Sequence, residues 1–394
     1  MLPLKTGGQV QLKLSPSITV YLWWRLLLAL VVIIAAIFIP YRSFVKYSGI
    51  ENIVSGAPRL VSQAVYPWAN FDGVHYLQIA GQGYSDQARF LPLYPGLLNA
   101  VARVFSTPTL SIAQVTLALL MQVGLTCVLI FSIQKLWSLD LTPVQTKDAT
   151  LYLIFAPTAF FLSAVYTESI FLVLCVLALL LVRQKRTGLA ILLATLVGMT
   201  RLNGLVIMVP LAMEIWQASR PGWKAKILAL APLSIVPTGL VMYVYYNFLR
   251  WGDWLAFLHG HAQLANGRAA DTVVIPLQTM YRYVQILTSL SMTQYEWWLA
   301  ALEVVMTLGT GWLLYQGYKF KTRPSLWWFS ALIWLIPVLS GTWSGMPRYS
   351  LLVLSIYPIL AQLFPVGKYK WVIWVSAILQ IGLLVCFSRG YLVG

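Results

Sequence analysis

Charged residues are scarce in this chain of 394 residues, at 10% of the sequence, whereas soluble globular domains carry about 25%. Acidic residues are the scarcer sign, with 11 against 27 basic ones. Hydrophobic residues make up 59% of the chain, and its mean hydropathy is +0.76. This balance excludes a soluble globular domain and predicts an integral membrane protein that crosses the bilayer several times.

Cysteine and histidine are also few. Cys127, Cys175 and Cys386 all lie inside apolar runs, with neither the spacing of metal ligands nor that of a disulfide framework, and are predicted to be inert core residues. His259 and His261 are two residues apart but have no evident third ligand. The sequence therefore assigns no cofactor and leaves a divalent metal ion open.

The net charge of +16 does not indicate a nucleic-acid partner. The basic residues lie in short clusters between apolar runs of membrane-spanning length, a distribution that orients a membrane protein. The first apolar run follows a basic N-terminus without a small-residue cleavage site, so it is predicted to be a retained helix rather than a signal peptide.

Eleven apolar segments predict an all-α fold with about 11 transmembrane helices in a single domain, 1–394. Several are shorter than the roughly 20 residues that a spanning helix needs. The segments are 22–39, 110–136, 150–162, 168–182, 188–199, 204–216, 227–249, 297–318, 326–339, 349–364 and 371–387.

The basic loops predict the orientation. The short loops RQKR, RPGWKAK and KFKTR fall on one side, which the positive-inside rule makes cytoplasmic, together with the N-terminus. Two long loops, about 41–109 and about 250–296, are then extracytoplasmic. This topology places Asp72, Glu168, Arg201 and Arg348 on the extracytoplasmic face, and we expect them to line one cavity at the membrane boundary.

One polar stretch stands out, NFDGVHYLQIAGQGYSDQARFLPLYP at 70–95. Its apolar spacing predicts two short amphipathic helices, 72–81 and 95–105, separated by a turn at Gly81, Gly83 and Tyr84. Both are too short to span a bilayer, so they are predicted to lie along its surface.

The polar residues of these stretches each have two interpretations. Asp72 could cap a helix through the amides of Val74 and His75, or it could do chemistry. Glu168 could serve helix-start electrostatics, although carboxylates at a membrane boundary tend to be functional. Arg201 could snorkel to the headgroups or hold a phosphate through two parallel hydrogen bonds.

Four motifs in chain order resemble the PIG-V family, the GPI mannosyltransferase that adds the second mannose, and its prokaryotic relatives. They are FDGVHYLQIAGQGY with RFLPLYP, YTESIF, RLNG and MPRYSL, spanning 68–350. Phe71 occupies a position where the family has tryptophan, and Ser85 and Asp86 replace a more acidic stretch. The short chain and compact loops are similar to the prokaryotic relatives.

The resemblance implies a GT-C glycosyltransferase that takes a sugar from a polyprenyl- or dolichyl-phosphate donor and passes it to a lipid-linked or glycan acceptor on the extracytoplasmic face. Asp72 is then the predicted catalytic base, because a phosphate leaves without a strong acid and only the acceptor hydroxyl needs a base. The predicted substrate-binding residues are His75, Tyr76, Tyr94, Glu168, Arg201, Asn203, Arg348 and Tyr349.

Two further classes of protein compete with this prediction. A transporter or lipid flippase would fit a polytopic chain, but neither internal repeats nor an inverted pair of broken helices is visible. A membrane scaffold without catalysis gives no reason for polar motifs to converge on one face. Membrane lipids are partners under each interpretation.

Overall fold

A computed structural model describes residues 16–42, 59–262 and 273–394, which leaves the side chain of His261 outside the described part. Within these residues the regular structure is helical. The α-helices are α1 (Pro16–Phe38), α2 (Arg59–Val65), α3 (Asp72–Gln82), α4 (Leu93–Val104), α5 (Ile112–Trp137), α6 (Pro143–Ile154), α7 (Glu168–Arg183), α8 (Thr187–Gly198), α9 (Met208–Ala218), α10 (Trp223–Leu230), α11 (Thr238–Trp251), α12 (Ala256–Ala262), α13 (Pro276–Ser289), α14 (Tyr295–Lys319), α15 (Pro324–Val338), α16 (Met346–Ser350), α17 (Ile356–Leu363) and α18 (Lys370–Ser388).

The eleven predicted apolar segments all coincide with helical parts of the chain, and the all-α, multi-pass membrane architecture is confirmed. By length and composition, five helical stretches of the described residues are able to cross a bilayer: Pro16–Phe38, Ile112–Trp137, Trp223–Trp251, Tyr295–Lys319 and Lys370–Ser388. The predicted number of 11 spanning helices is not confirmed. The described residues also contain three shorter apolar helices of 10 to 17 residues, which at 1.5 Å per residue reach less than about 30 Å.

Helix α7 lies at the centre of the molecule. It is apolar around its whole circumference, as a helix without a solvent face must be, and 13 of its 16 residues are buried. It packs against α5 and α8. Cys175 in this helix is fully buried, which confirms its prediction as a core residue.

The polar stretch forms the two predicted short helices, α3 and α4, which pack against each other. Helix α3 continues through Gly81, contrary to the predicted interruption, and ends at Gly83, whose φ of 79° a glycine adopts without strain. Helix α4 begins at Leu93, two residues earlier than predicted, because Pro95 falls in its first turn, where a missing N–H is tolerated. Their orientation along the membrane plane stays a prediction.

Backbone contacts bring distant motifs together beneath these helices. The amide of Val165 donates to the carbonyl of Trp68 over 2.8 Å, and the Tyr166 hydroxyl donates to the carbonyl of Asn70 over 2.8 Å. The RLNG turn continues as a 3₁₀ helix over residues 202–207. A Cβ at Gly204 would lie 2.4 Å from the Val197 carbonyl oxygen, so this turn packs against α8 only with glycine there.

Candidate active site

Four charged side chains from four parts of the chain meet in one chain of ion pairs. Arg348 donates from Nη1 to Asp72 Oδ2 over 2.5 Å and from Nε to Glu168 Oε1. Arg201 donates from Nη2 to the same Glu168 oxygen, and from Nε to Thr167 Oγ1 over 2.7 Å. We call Asp72, Glu168, Arg201 and Arg348 the site cluster. The predicted convergence is therefore present, as direct contacts rather than as residues spaced around a cavity.

Both carboxylates are placed by helix starts. Asp72 is the first residue of α3 and Glu168 is the first residue of α7, where the helix dipole stabilises a negative charge. The proposed capping role of Asp72 is wrong, because Phe71 occupies the N-cap position and the Asp72 carboxylate is turned to Arg348 instead. Phe71 has φ 59° and ψ −115°, a conformation that costs about 1 to 3 kcal/mol and is found most often at functional sites.

The four side chains differ in access. The side chain of Asp72 is 30% exposed, whereas that of Glu168 is 0% exposed. The arginine side chains are 10% exposed for Arg201 and 13% for Arg348, so the snorkelling interpretation of Arg201 is wrong. Asp72 is thus the carboxylate of the site cluster that a substrate is able to reach.

Glu168 is not saturated by its two arginines. Both guanidinium groups bind its Oε1, and its Oε2 is buried without a hydrogen-bond partner in the described part of the chain. A buried carboxylate is stable only when it is paired, and here two cations share one oxygen. Glu168 therefore holds Arg201 and Arg348 side by side.

Electrostatics keep Asp72 ionised. Burial would raise the pKa of its carboxyl, but the Arg348 guanidinium outweighs burial, with smaller help from Arg89, and the pKa falls below the usual range. Burial and then the Arg89 charge lower the pKa of His75, which favours the neutral ring. Burial, followed by the Asp72 charge, raises the pKa of Tyr76.

Aromatic rings surround the cluster. The Arg348 guanidinium carbon lies 4.5 Å from the centroid of the Tyr166 ring, within cation–π range. Tyr76 packs edge-on against Phe90 and Tyr94, at centroid distances of 5.0 and 4.9 Å. Of the predicted substrate-binding residues, His75 is half-buried on the same helix as Asp72, and its ring stacks on Phe90.

Three predicted binding residues stand apart from the ion pairs. Tyr94 is fully buried, and its hydroxyl accepts a hydrogen bond from Gln122 over 2.7 Å. Asn203 is half-buried in the 3₁₀ turn, and its Nδ2 has no partner in the described residues. Tyr349 follows Arg348 and packs as a half-buried ring against the apolar core.

The prediction missed Tyr166, Thr167 and Gln122. Tyr166 and Thr167 directly precede Glu168 in the YTESIF motif, for which the sequence predicts a role for the carboxylate only. Gln122 Nε2 binds both the Tyr94 hydroxyl and the Tyr166 carbonyl, joining α4 to the segment before α7. An amide in the middle of an apolar spanning helix is costly, and that cost is the signal by which Gln122 could have been found.

Metal ligation has no evident set of ligands. The described residues contain no group of three or more His, Cys, Asp or Glu side chains that could hold a metal ion. His259 pairs through Nδ1 with Asp253 over 2.6 Å on the exposed surface. Both carboxylates of the site cluster face guanidinium groups.

The fold and the site together define a class of protein: a helical multi-pass membrane protein with a recessed cluster of arginines and carboxylates. The model of the mannosyltransferase (PIG-V) family matches residues 17–219, and the chain belongs to this family. That stretch contains Asp72, Glu168 and Arg201, while Arg348 lies beyond it.

One solved structure is similar in fold at low identity, the crystal structure of the Archaeoglobus fulgidus oligosaccharyltransferase in its apo form. The similarity has 13% sequence identity and a TM-score of 0.45 over 95% of this chain, which spans 56% of the length of that chain. No curated protein matches the chain.

Proposed function

We propose that this protein is a membrane glycosyltransferase of the GT-C type, a mannosyltransferase that takes its sugar from a polyprenyl- or dolichyl-phosphate donor. The acceptor is a lipid-linked sugar or a glycan. Family membership supports the transferase class, and one structural observation carries the assignment of roles: Asp72 is the accessible carboxylate in a cluster whose other three charges are nearly buried.

In the proposed reaction, Asp72 accepts the proton of the acceptor hydroxyl while that oxygen attacks the anomeric carbon of the sugar. The bond from the anomeric carbon to the phosphate oxygen breaks, and its electron pair stays on the departing polyprenyl phosphate. The phosphate needs no proton to leave, so the second carboxylate is free for another task. Glu168 takes that task by positioning Arg201 and Arg348.

Contact with Arg348 makes Asp72 a weak base in the unliganded protein, because the neighbouring cation lowers its pKa. A donor phosphate that draws the Arg348 guanidinium toward itself would weaken this ion pair. The Asp72 carboxylate would then become more basic when the donor is bound.

The proposed face is extracytoplasmic and the proposed N-terminus is cytoplasmic. Helix α7 has 16 residues and is about 24 Å long, shorter than a hydrocarbon core of about 30 Å. With its Arg183 end at the cytoplasmic boundary, its Glu168 end lies below the outer surface, at a depth that a lipid-linked phosphate reaches. The membrane would be the plasma membrane of a prokaryotic cell or the endoplasmic reticulum of a eukaryotic one.

The test is transfer of labelled mannose from a synthetic polyprenyl-phosphate mannose by the purified chain in liposomes. We expect a labelled product with wild-type protein and at most about a hundredth of that rate with Asp72→Asn, measured per folded protein. Transfer by both Asp72→Asn and Glu168→Gln at wild-type rates would overturn the assignment of the base. Wild-type protein that transfers no sugar from this donor would count against the enzyme and favour the transporter.

A further inference from the structure

The positive charge of the site cluster is already balanced. Two guanidinium groups face two carboxylates, and Arg201 and Arg348 both spend hydrogen bonds on Glu168. Arg89, in the loop between α3 and α4, is half-buried and forms no ion pair within the described residues. Asp86, three residues earlier, accepts a hydrogen bond from Ser85 instead.

Arg89 lies on the same side of the fold as Asp72. Asp72 and His75 are three residues apart on α3 and so share one helix face. The His75 ring stacks on Phe90 at a centroid distance of 5.0 Å, and the Arg89 guanidinium carbon lies 4.8 Å from the centroid of the same Phe90 ring. After the effect of burial and, for Asp72, of Arg348, the Arg89 charge further lowers the pKa of both groups.

The backbone on either side of Arg89 is held firmly. The Tyr243 hydroxyl, from α11, lies 2.7 Å from the Ala88 carbonyl oxygen and 3.1 Å from that of Phe90. The Tyr84 hydroxyl donates to the Phe90 carbonyl over 2.7 Å. A Cβ at Gly260 would be 3.6 Å from the Arg89 amide and Cβ, so α12 of the second loop backs this position. Binding side chains work best on such fixed backbone.

We propose that Arg89 binds the phosphate of the lipid-linked sugar donor, at the mouth of the site cluster. The inference rests on the proposed function. A donor phosphodiester carries one negative charge, and the departing polyprenyl phosphate gains another when the glycosidic bond breaks. A guanidinium without a carboxylate partner is suited to take that charge through two parallel hydrogen bonds, whereas Arg201 and Arg348 already hold carboxylates.

The experiment compares Arg89→Gln and Arg89→Lys with Arg103→Gln. Arg103 is an exposed arginine in the last turn of α4, within the same long loop of residues about 41–109, and it has no ion pair in the described chain. Binding of polyprenyl phosphate to the full chain in nanodiscs is measured without turnover, and the donor KM and kcat are measured separately. Loss of a charged hydrogen bond predicts binding weakened about 10- to 100-fold in Arg89→Gln, less in Arg89→Lys, and unchanged in Arg103→Gln.

One further ligand and one change of bilayer lipid separate phosphate recognition from other causes. Polyprenol, which lacks the phosphate, should bind equally to wild type and Arg89→Gln. The effect should also be the same in zwitterionic and in phosphatidylglycerol nanodiscs; an effect confined to anionic nanodiscs would mean that Arg89 binds bilayer headgroups and would overturn the proposal.

The outcomes distinguish this inference from the function on which it rests. Equal affinity of wild type and Arg89→Gln for polyprenyl phosphate, with transfer still dependent on Asp72, would overturn the role of Arg89 and leave the enzyme assignment intact. A wild-type chain that neither binds polyprenyl phosphate nor transfers sugar from its conjugates would overturn both.

Discussion

The site cluster has a counterpart at the other end of α7 with the same composition and a different geometry. That end of α7 also combines two carboxylates with two arginines. We call this set the distal cluster; its members are Asp140, Glu214, Arg183 and Arg323. Arg183 binds both oxygens of Asp140, over 2.7 and 2.8 Å, and Arg323 binds both oxygens of Glu214 over 2.6 Å. Glu168 begins α7 and Arg183 ends it, so one helix of about 24 Å carries both clusters.

The difference is in how the charges are satisfied. In the distal cluster each arginine forms two parallel hydrogen bonds with one carboxylate, the geometry of a staple between helices, and Arg323 also lies 3.6 Å from Asp140. In the site cluster Arg348 divides its donors between two carboxylates, two arginines share one oxygen of Glu168, and the other oxygen has no partner among the described residues. The two clusters therefore have equal numbers of charges and differ in how completely their hydrogen bonds are satisfied among the described residues.

Removing one aspartate from each cluster tests whether only the site cluster is needed for transfer, and it has the largest expected effect. Asp72→Asn should lower transfer by about 10²- to 10⁴-fold, the usual loss when a general base is removed, because asparagine accepts no proton at neutral pH. Asp140→Asn should leave the rate unchanged. The measurement is mannose transfer in liposomes, with thermal unfolding followed in parallel.

A loss of transfer in Asp140→Asn as large as in Asp72→Asn, at unchanged stability, would show that the distal cluster is also functional. Near-normal turnover by Asp72→Asn with an inactive Glu168→Gln would move the base to Glu168.

The two glutamates should have similar effects on stability and different effects on activity. Glu168→Gln leaves Arg201 and Arg348 without their shared counter-charge, and breaking a buried ion pair costs roughly 3 to 5 kcal/mol. Glu214→Gln removes a carboxylate that is also nearly buried, at 5% side-chain exposure, so a comparable loss is expected. Only Glu168→Gln should also lower the rate of transfer per folded molecule.

Unfolding of both variants is followed by denaturation in the same detergent, and transfer is normalised to folded protein. Glu168→Gln with wild-type stability would contradict its role as the anchor of two arginines.

Arginine-to-lysine changes should affect donor binding in the site cluster and stability in the distal cluster. Arg348→Lys and Arg201→Lys keep the charge but lose the planar fork, so each should weaken use of the donor, by about tenfold for one charge-assisted hydrogen bond. Arg323→Lys, at 29% side-chain exposure, should cost at most about 1 kcal/mol of stability and leave the donor KM unchanged. Steady-state kinetics at varied donor concentration measure the donor KM. An equal rise of this KM in all three variants would contradict a specific role of Arg201 and Arg348 in donor use.

The smallest expected effect is on the pH dependence. The pKa of Asp72 is lower in the folded protein than in the unfolded chain, so its contribution to stability is present above the ordinary aspartate value of about 3.9 and is lost as pH falls through the lower folded pKa. We therefore expect kcat/KM to be flat with respect to this group from about pH 5 to 8.

A pH–rate profile of wild type, with the acid limb repeated in Arg348→Lys, checks this expectation. A limb of kcat/KM near neutral pH that Asp72→Asn removes would contradict a lowered pKa of Asp72 in the free enzyme, the state that kcat/KM reports.

Much of this architecture could be predicted from the sequence, because apolar runs and their turns have strong periodic signals. The two short helices of the first loop followed from such patterns, and the convergence of Asp72, Glu168 and the two arginines was predicted from the topology that the basic loops indicate. The helices α12 and α13 were missed. Helix α12 has only seven residues, too few for a period to show, whereas the helical spacing of Leu277, Met280 and Val284 in α13 was overlooked because the segment is too short and polar to span a bilayer. The pairing of Arg348 with Asp72 was also missed, since a sequence places charges on one face without saying which partners they choose.

Arg348 joins the first part of the chain to the last. Its contact with Glu168 links residues 180 positions apart, and the stretch that the family model matches ends at residue 219. Asp72 and Glu168 thus lie inside the matched stretch, and Arg348, which binds both carboxylates, lies beyond it. Since a buried carboxylate without its cation is strongly destabilising, a lineage that replaces Arg348 should replace Glu168 as well, so that the two positions vary together among descendants.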